Sequence, residues 1–277
     1  MPTSHVAQLS NVRLEYFLHG HGPERVVLIH GFQASARIWA MVQEALPAER
    51  YTSIAINNRG AGNSDAPPAE TDFGVPVFAA DAHELVTGLQ WDAFTLVGHS
   101  LGGATAAQFA VDHPQGLKGL VLLDPADPDG RVGSAQEIEA AVDAFTTARR
   151  ARLARGGGGA DGINATAAGV SGELLALLTA DMNNAPERRL RGSLRSMFQV
   201  RLGPRVRELT MPVLLACGDR DELIPLQNML ETWAKLPRGT GLHVWHGVGH
   251  SPNLDTPAAF TALLRQFIET TIPALGK

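Results

Sequence analysis

The 277-residue chain has a single cysteine, Cys217, which excludes an internal disulfide framework and any multi-cysteine zinc or iron–sulfur centre. Lysine is almost missing: Lys118, Lys235 and Lys277 stand against twenty arginines. No stretch approaches the ~18 uninterrupted apolar residues of a membrane span, so none is expected. The opening residues, MPTSHVAQLSNVRL, show no basic flank followed by an apolar core. No secretory signal is visible, and the cytoplasm is the expected compartment. There is no H-E-x-x-H and no G-x-x-x-x-G-K-[ST], so neither a zinc protease helix nor a Walker-type nucleotide loop is expected. His243, His246 and His250 lie close in sequence, but positions 243 and 246 would face opposite sides of a strand, so no metal site is expected. No cofactor is expected either. The net charge of −5 argues against nucleic acid as a main partner, and a small-molecule substrate is the expected one.

What is present suits a globular enzyme. Hydrophobic residues make up 44% and charged residues 18%, and the length suggests one large α/β domain or a core with an insertion. Val26–Ile29, Ser53–Ile56, Phe94–Val97, Gly119–Leu123, Val213–Ala216 and Leu242–Trp245 read as short buried strands ending in turn residues. Continuous apolar strands imply a parallel sheet covered on both faces. Val12, Leu14, Tyr16 and Leu18 alternate, as in a half-exposed antiparallel edge. Helical periodicity runs through Phe78, Ala82, Leu85 and Leu89, through Leu226, Met229, Leu230 and Trp233, and through Phe260, Leu263, Leu264 and Phe267. The last is preceded by Thr256 as N-cap and Pro257 at the first helical position. Strand–helix alternation over this length predicts a doubly wound, mostly parallel sheet.

Residues 126–207 break that rhythm. They hold no good strand, carry a net +3 against −8 for the rest, and contain helical patterns (Ile138, Val142, Phe145; Leu174, Leu175, Leu177, Leu178) and the run Gly156–Gly159. The run reads as a flexible loop. The reading is a core of 1–125 and 208–277 with a helical insertion at 126–207.

The strongest local signal is Gly98-His99-Ser100-Leu101-Gly102-Gly103, between the strand Phe94–Val97 and an Ala-rich helix. It matches the G-x-S-x-G nucleophile elbow in the strand–turn–helix context that the turn needs. Ser100 would sit on a strained turn, where side chains at 98 and 102 would collide. At this point the chain resembles the α/β-hydrolase superfamily, over nearly its whole length. Four further stretches carry the resemblance. His30-Gly31-Phe32 follows the first parallel strand. Asn57-Asn58-Arg59-Gly60-Ala61-Gly62-Asn63-Ser64-Asp65 looks like the family's D-x-R-G-x-G-x-S loop, with Asn57 where Asp is usual, which puts a local ion pair in doubt. Gly218-Asp219-Arg220-Asp221 and Gly247-Val248-Gly249-His250-Ser251-Pro252 follow the last two strands.

The resemblance implies Ser100 as nucleophile, His250 as general base and Asp221 as the acid that orients it. It also implies the backbone N–H groups of Phe32 and Leu101 as an oxyanion hole, and the insertion as a cap over the pocket. Asp219 and Asp124 are rivals for the acid. His99, inside the elbow, reads as a packing residue. Ser at 100 argues against the dehalogenases and epoxide hydrolases of this superfamily, which use Asp there. The expected reaction is hydrolysis of a small carboxylic ester or lactone through an acyl-enzyme. A C–C bond hydrolase of a ring-cleavage-type diketone acid is the alternative, less favoured with Ser251 where such enzymes often have Trp. A cofactor-free non-hydrolytic enzyme or a small-molecule receptor on the same scaffold also remains open. Leu174, Leu178, Met182, Met197 and Phe198 are the apolar candidates to roof the pocket. The insertion's arginines (Arg149, Arg150, Arg152, Arg155, Arg188, Arg189, Arg191, Arg195, Arg201) would suit a carboxylate-bearing substrate, although most are expected on solvated helix faces.

Overall fold

A computed structural model describes residues 2–155, 170 and 172–275. The strands are β1 (Thr3–Gln8), β2 (Arg13–Gly20), β3 (Glu24–Ile29), β4 (Tyr51–Ile56), β5 (Phe94–His99), β6 (Leu117–Leu123), β7 (Val213–Gly218) and β8 (Gly241–Trp245). They form one eight-stranded sheet in the order β1-β2-β4-β3-β5-β6-β7-β8. The pairs β1–β2 and β2–β4 are antiparallel; all others are parallel.

Between the strands lie α1 (Ala40–Ala45), α2 (Val75–Gly88), α3 (Leu101–Asp112), α4 (Ala135–Ala154), α5 (Gly172–Asn184), α6 (Glu187–Gln199) and α7 (Leu226–Lys235), and after β8 come α8 (Pro252–Asp255), α9 (Pro257–Gln266) and α10 (Ile272–Leu275). No helix among the described residues is long and apolar enough to cross a membrane.

The side-chain alternation of a strand sorts the core into two layers. Val27, Ile29, Leu96, Leu122 and Leu215 join α2 and α3 on one face of the sheet. Val26, Leu28, Val97, Val121 and Leu214 join Trp39, Val42, Phe260 and Leu264 on the other. Both faces are covered, which is why the central strands read as unbroken apolar runs.

The antiparallel end differs from the expectation. Strand β2 is not the edge: β1 lies outside it, and Leu14, Glu15 and Tyr16 are all buried. The segment Thr3–Gln8 is mostly exposed and has little apolar character to announce a strand. Thr256 and Pro257 do stand at the start of α9, but Thr256 makes no side-chain cap; its hydroxyl donates to the Pro252 carbonyl at 3.2 Å instead.

Helices α4, α5 and α6 lie between β6 and β7. Helix α4 opens with a reciprocal capping box between Ser134 and Glu137. The run Gly156–Gly159 lies outside the described residues.

The sheet order also fixes where a ligand can enter. Strand β3 connects to β4 on one side, and β5 then pairs with the opposite side of β3. Such a reversal leaves a crevice at the carboxyl ends of β3 and β5. His30–Phe32 leave β3 there, and Ser100 leaves β5.

Candidate active site

Ser100 sits at φ 55°, ψ −118° between β5 and α3, a left-handed conformation that costs a non-glycine residue energy unless its surroundings enforce it. Its amide donates to the Leu123 carbonyl at 3.0 Å. The flanking glycines are sterically required. A Cβ on Gly98 would lie 2.0 Å from the Gly102 carbonyl oxygen, and one on Gly102 would lie 2.3 Å from that of Ile29. The turn thereby directs the first amides of α3 toward the crevice. The Leu101 and Phe32 amides have no acceptor among the described residues, and the Phe32 ring packs edge-on against Phe145 of α4.

Asp221 and His250 meet across 29 positions of sequence. His250 Nδ1 donates to Asp221 Oδ2 at 2.6 Å, and both residues are buried. Asp221 Oδ1 accepts from the Leu223 and Ile224 amides at 2.8 and 3.0 Å. Burial pushes the Asp221 carboxyl up, but the hydrogen bonds from His250 and these two amides outweigh it and leave the carboxyl below its ordinary range. With Nδ1 carrying the proton, Nε2 of a neutral His250 is the free acceptor.

The two rival acids have other partners. Asp219 binds the exposed His246 at 2.7 Å and the Gly247 amide at 2.6 Å. Asp124, at the end of β6, is fully buried, and its Oδ1 accepts from the Gly218 amide at 3.1 Å. One ligating atom each from Asp124, Asp221 and His250 lie within 4.8 Å of one another, the group of three among the described residues close enough to hold a metal ion. His250 Nδ1 is already committed to Asp221.

His99 has a part that its motif position did not reveal. Its Nε2 donates to the main-chain carbonyl of His250 at 2.7 Å, and the two rings lie 4.8 Å apart. Burial, with the nearby His250, pushes its pKa down to about 3, so the ring is neutral. The partners are 151 residues apart, which no local pattern can signal. His30 is neutral too, pushed down to about 3 by burial and by Arg189. Its Nε2 accepts from the Asn58 amide at 3.2 Å, so Nδ1 carries the proton that is donated to the Gly31 carbonyl at 2.8 Å.

The departure at Asn57 also resolves. Its Oδ1 accepts from the Ala36 amide at 2.7 Å, and its Nδ2 donates to Glu15 at 2.7 Å. The buried Glu15 carboxylate accepts in addition from Ser4, from the Asn63 amide and from the Asn63 side chain. An amide at 57 replaces an expected ion pair with a hydrogen-bonded one. A guanidinium–carboxylate pair does exist in this loop: Arg59 holds Asp81 through two bonds of 2.6 and 2.7 Å.

A cavity of about 820 Å³ lies over Ser100 and His250. Of the expected roof residues, Met182, Met197 and Phe198 line it, joined by Phe145 and Leu194. Leu174 and Leu178 do not; they pack into the core layer beneath α5. Most insertion arginines are tied down. Arg188 donates to the Pro67 and Ala66 carbonyls. Arg189 donates to those of Gly60 and Ala34. Arg191 and Arg195 bind Glu70, Asp143 and Glu139; Arg150 binds Glu187.

The parallel sheet with its reversal at β3, the strained serine between β5 and α3, and a buried acid–base pair following β7 and β8 define the class of the α/β hydrolases. The family model described as alpha/beta hydrolase fold matches residues 24–257, and the chain belongs to this family. An uncharacterized protein of Mycobacterium tuberculosis is 28% identical over 288 residues, covering 99% of this chain and 83% of its own length. A putative 2-succinyl-6-hydroxy-2,4-cyclohexadiene-1-carboxylate synthase of Bacillus subtilis is 28% identical, over 97% of this chain and 99% of its own. Among solved structures, an esterase from Exiguobacterium antarcticum superposes with a TM-score of 0.83 at 22% identity, over 97% of this chain and 100% of that one.

Proposed function

We propose that this hydrolase-family protein cleaves a small carboxylic ester or lactone through an acyl-enzyme on Ser100. One observation carries the reading: the buried 2.6 Å bond from His250 Nδ1 to Asp221 leaves Nε2 as the acceptor in a cavity that both His250 and Ser100 line. In the first half-reaction His250 takes the Ser100 proton while the oxygen attacks the substrate carbonyl, and then returns it to the departing alcohol. In the second, His250 takes a proton from water as the water attacks the acyl carbonyl, and returns it to the Ser100 oxygen as the acid departs. The Phe32 and Leu101 amides supply the donors for the oxyanion, an effect of ~10²–10³ in rate for one side-chain donor in a related setting. Asp221 holds the imidazole tautomer and stabilises its cation. Residues 126–207 act as the cap, and 1–125 with 208–277 as the catalytic core.

A fluorophosphonate probe tests this. Labelling is expected at Ser100, located by mass spectrometry, and Ser100→Ala is expected to abolish labelling and to lower 4-nitrophenyl acetate hydrolysis by ~10³-fold or more. Absence of labelling in folded protein rejects the acyl-enzyme. Weight then passes to non-hydrolytic chemistry on the same residues, a reading favoured by the Bacillus subtilis relative's being described as a synthase.

A further inference from the structure

Three arginines line the cavity without an ion pair among the described residues: Arg131, which stacks over the Phe198 ring, Arg149 and Arg152. Arg149 and Arg152 stand one turn apart on α4, on the face that carries Phe145 and Ala148, and all four line the cavity over Ser100. Arg149 is only 8% exposed. Its Nη2 is held by the carbonyl oxygens of Met182, Asn183 and Ala185 at 3.3, 2.8 and 3.0 Å, while its Nε is buried with no acceptor. It has no ion pair among the described residues, and Arg152 has neither an ion pair nor a side-chain hydrogen bond there. Burial, and then the charge of Arg152, lowers the Arg149 pKa. The acid in the same lining, Asp127, is already bound by Lys235 at 2.7 and 2.8 Å. A buried cation beside a second cation, offset only by the charge of Glu187, which is itself paired with Arg150, is unfavourable until a ligand supplies an anion.

We propose that Arg149 and Arg152 form a carboxylate subsite in the cavity wall, so that the substrate is an anionic ester or lactone whose carboxylate lies several bonds from the reacting carbonyl. The substrate class rests on the reading of Ser100 as nucleophile; the anion subsite does not. Arg149 is fixed by its carbonyl partners and presents a rigid edge. Arg152 is free to close on the same carboxylate, and guanidinium suits its two oxygens. The same cavity is lined by Phe145, Met182 and Met197, apolar surface that suits a hydrocarbon connection.

The test compares matched esters that differ only in charge. Mono-4-nitrophenyl adipate is set against its methyl ester, and 3-(4-acetoxyphenyl)propanoic acid against its methyl ester, so that the carboxylate lies on the acyl side in one pair and the alcohol side in the other. The free acid is expected to have kcat/KM at least tenfold above its methyl ester in one pair, with KM rising as salt is added. Arg152→Gln is expected to bring that ratio close to one, and Arg152→Glu to invert it. No preference in either pair, or a preference that Arg152→Gln leaves intact, overturns the subsite while the hydrolase stands. If wild-type protein cleaves none of the four, the hydrolase reading falls and the subsite is judged by binding. Adipate then raises the Tm of wild type and not of Arg152→Gln, and equal shifts or none overturn it.

Discussion

Asp124 and Asp221 bring carboxyl oxygens within 4.8 Å of each other, yet their environments split them. Asp221 is held below its ordinary range, because hydrogen bonds outweigh burial. Asp124 is pushed well above 3.8, first by burial and then by the charge of Asp221, and its Oδ2 is buried with no partner. Two carboxylates so close cannot both ionise without cost. Asp124 is the one whose protonated form is favoured.

The sign of the pH effect follows. A carboxyl raised on folding contributes stability that is fully present below its unfolded value, near 3.8, and is lost as pH rises through the folded one. Asp124→Asn removes that loss. The variant's Tm relative to wild type is expected to climb between pH 5 and pH 8, as measured by thermal melts across that range. A constant difference contradicts the assignment.

Asn57 gives a second prediction. Asn57→Asp replaces the donor to Glu15 with a second buried carboxylate, leaving both acids short of a partner. A loss of about 1–3 kcal/mol in urea unfolding is expected from the unmade bond. Asn57→Asp combined with Glu15→Gln restores a donor and is expected to recover part of it; equal loss in the double variant refutes the pairing.

His99 holds His250 from behind, through its main-chain carbonyl. His99→Ala is expected to lower kcat about tenfold or more with little change in KM, since a displacement of ~1 Å can cost about 10² in rate. His99→Gln, whose amide can donate to the same carbonyl, is expected to recover part of kcat. Steady-state kinetics on both variants decide it, and identical losses would reduce His99 to packing.

Arg189 is a buried guanidinium whose pKa burial brings down to about 10, still charged at neutrality. It ties α6 to the Ala34 carbonyl, in the loop after Phe32, at 2.8 Å, and to that of Gly60 at 3.3 Å. Arg189→Met is expected to cost about 1–3 kcal/mol for each carbonyl left unpaired. Arg189→Lys cannot reproduce the fork and is expected to recover little. Denaturant melts compare the three proteins, and an unchanged midpoint in Arg189→Met rules the latch out.

Several of these features were legible before the structure, others not, and the difference is one of range. The elbow at Ser100 is readable because its cause is local: two glycines, a strand before and a helix after. The parallel core is readable because strands buried on both faces must be apolar throughout. Asp221 is set apart from Asp219 and Asp124 in the sequence only by the resemblance of its loop, because each of the three follows a strand; their partners, His250, His246 and Gly218, distinguish them in the fold. Strand β1 went unread because its residues are polar and exposed and pair with β2 alone. The roof positions of Leu174 and Leu178 were misplaced because helical periodicity reports that a face is buried, not what covers it. The arginines between β6 and β7 look alike in sequence, and their separation into latches and cavity cations depends on carbonyls and carboxylates far along the chain.

The connection between β6 and β7 has a kinetic consequence. These two strands are neighbours in the sheet, yet about 90 residues separate Leu123 from Val213, against a short α3 crossover between β5 and β6. Closing the longer loop carries the larger entropic cost, growing as about (3/2)RT ln n. The half of the sheet that ends in Ser100 assembles through short-range connections, while the half bearing Asp221 and His250 docks onto it later. A refolding chain therefore acquires the serine's turn before the groups that would make it reactive, and its enzymatic activity lags behind its secondary structure.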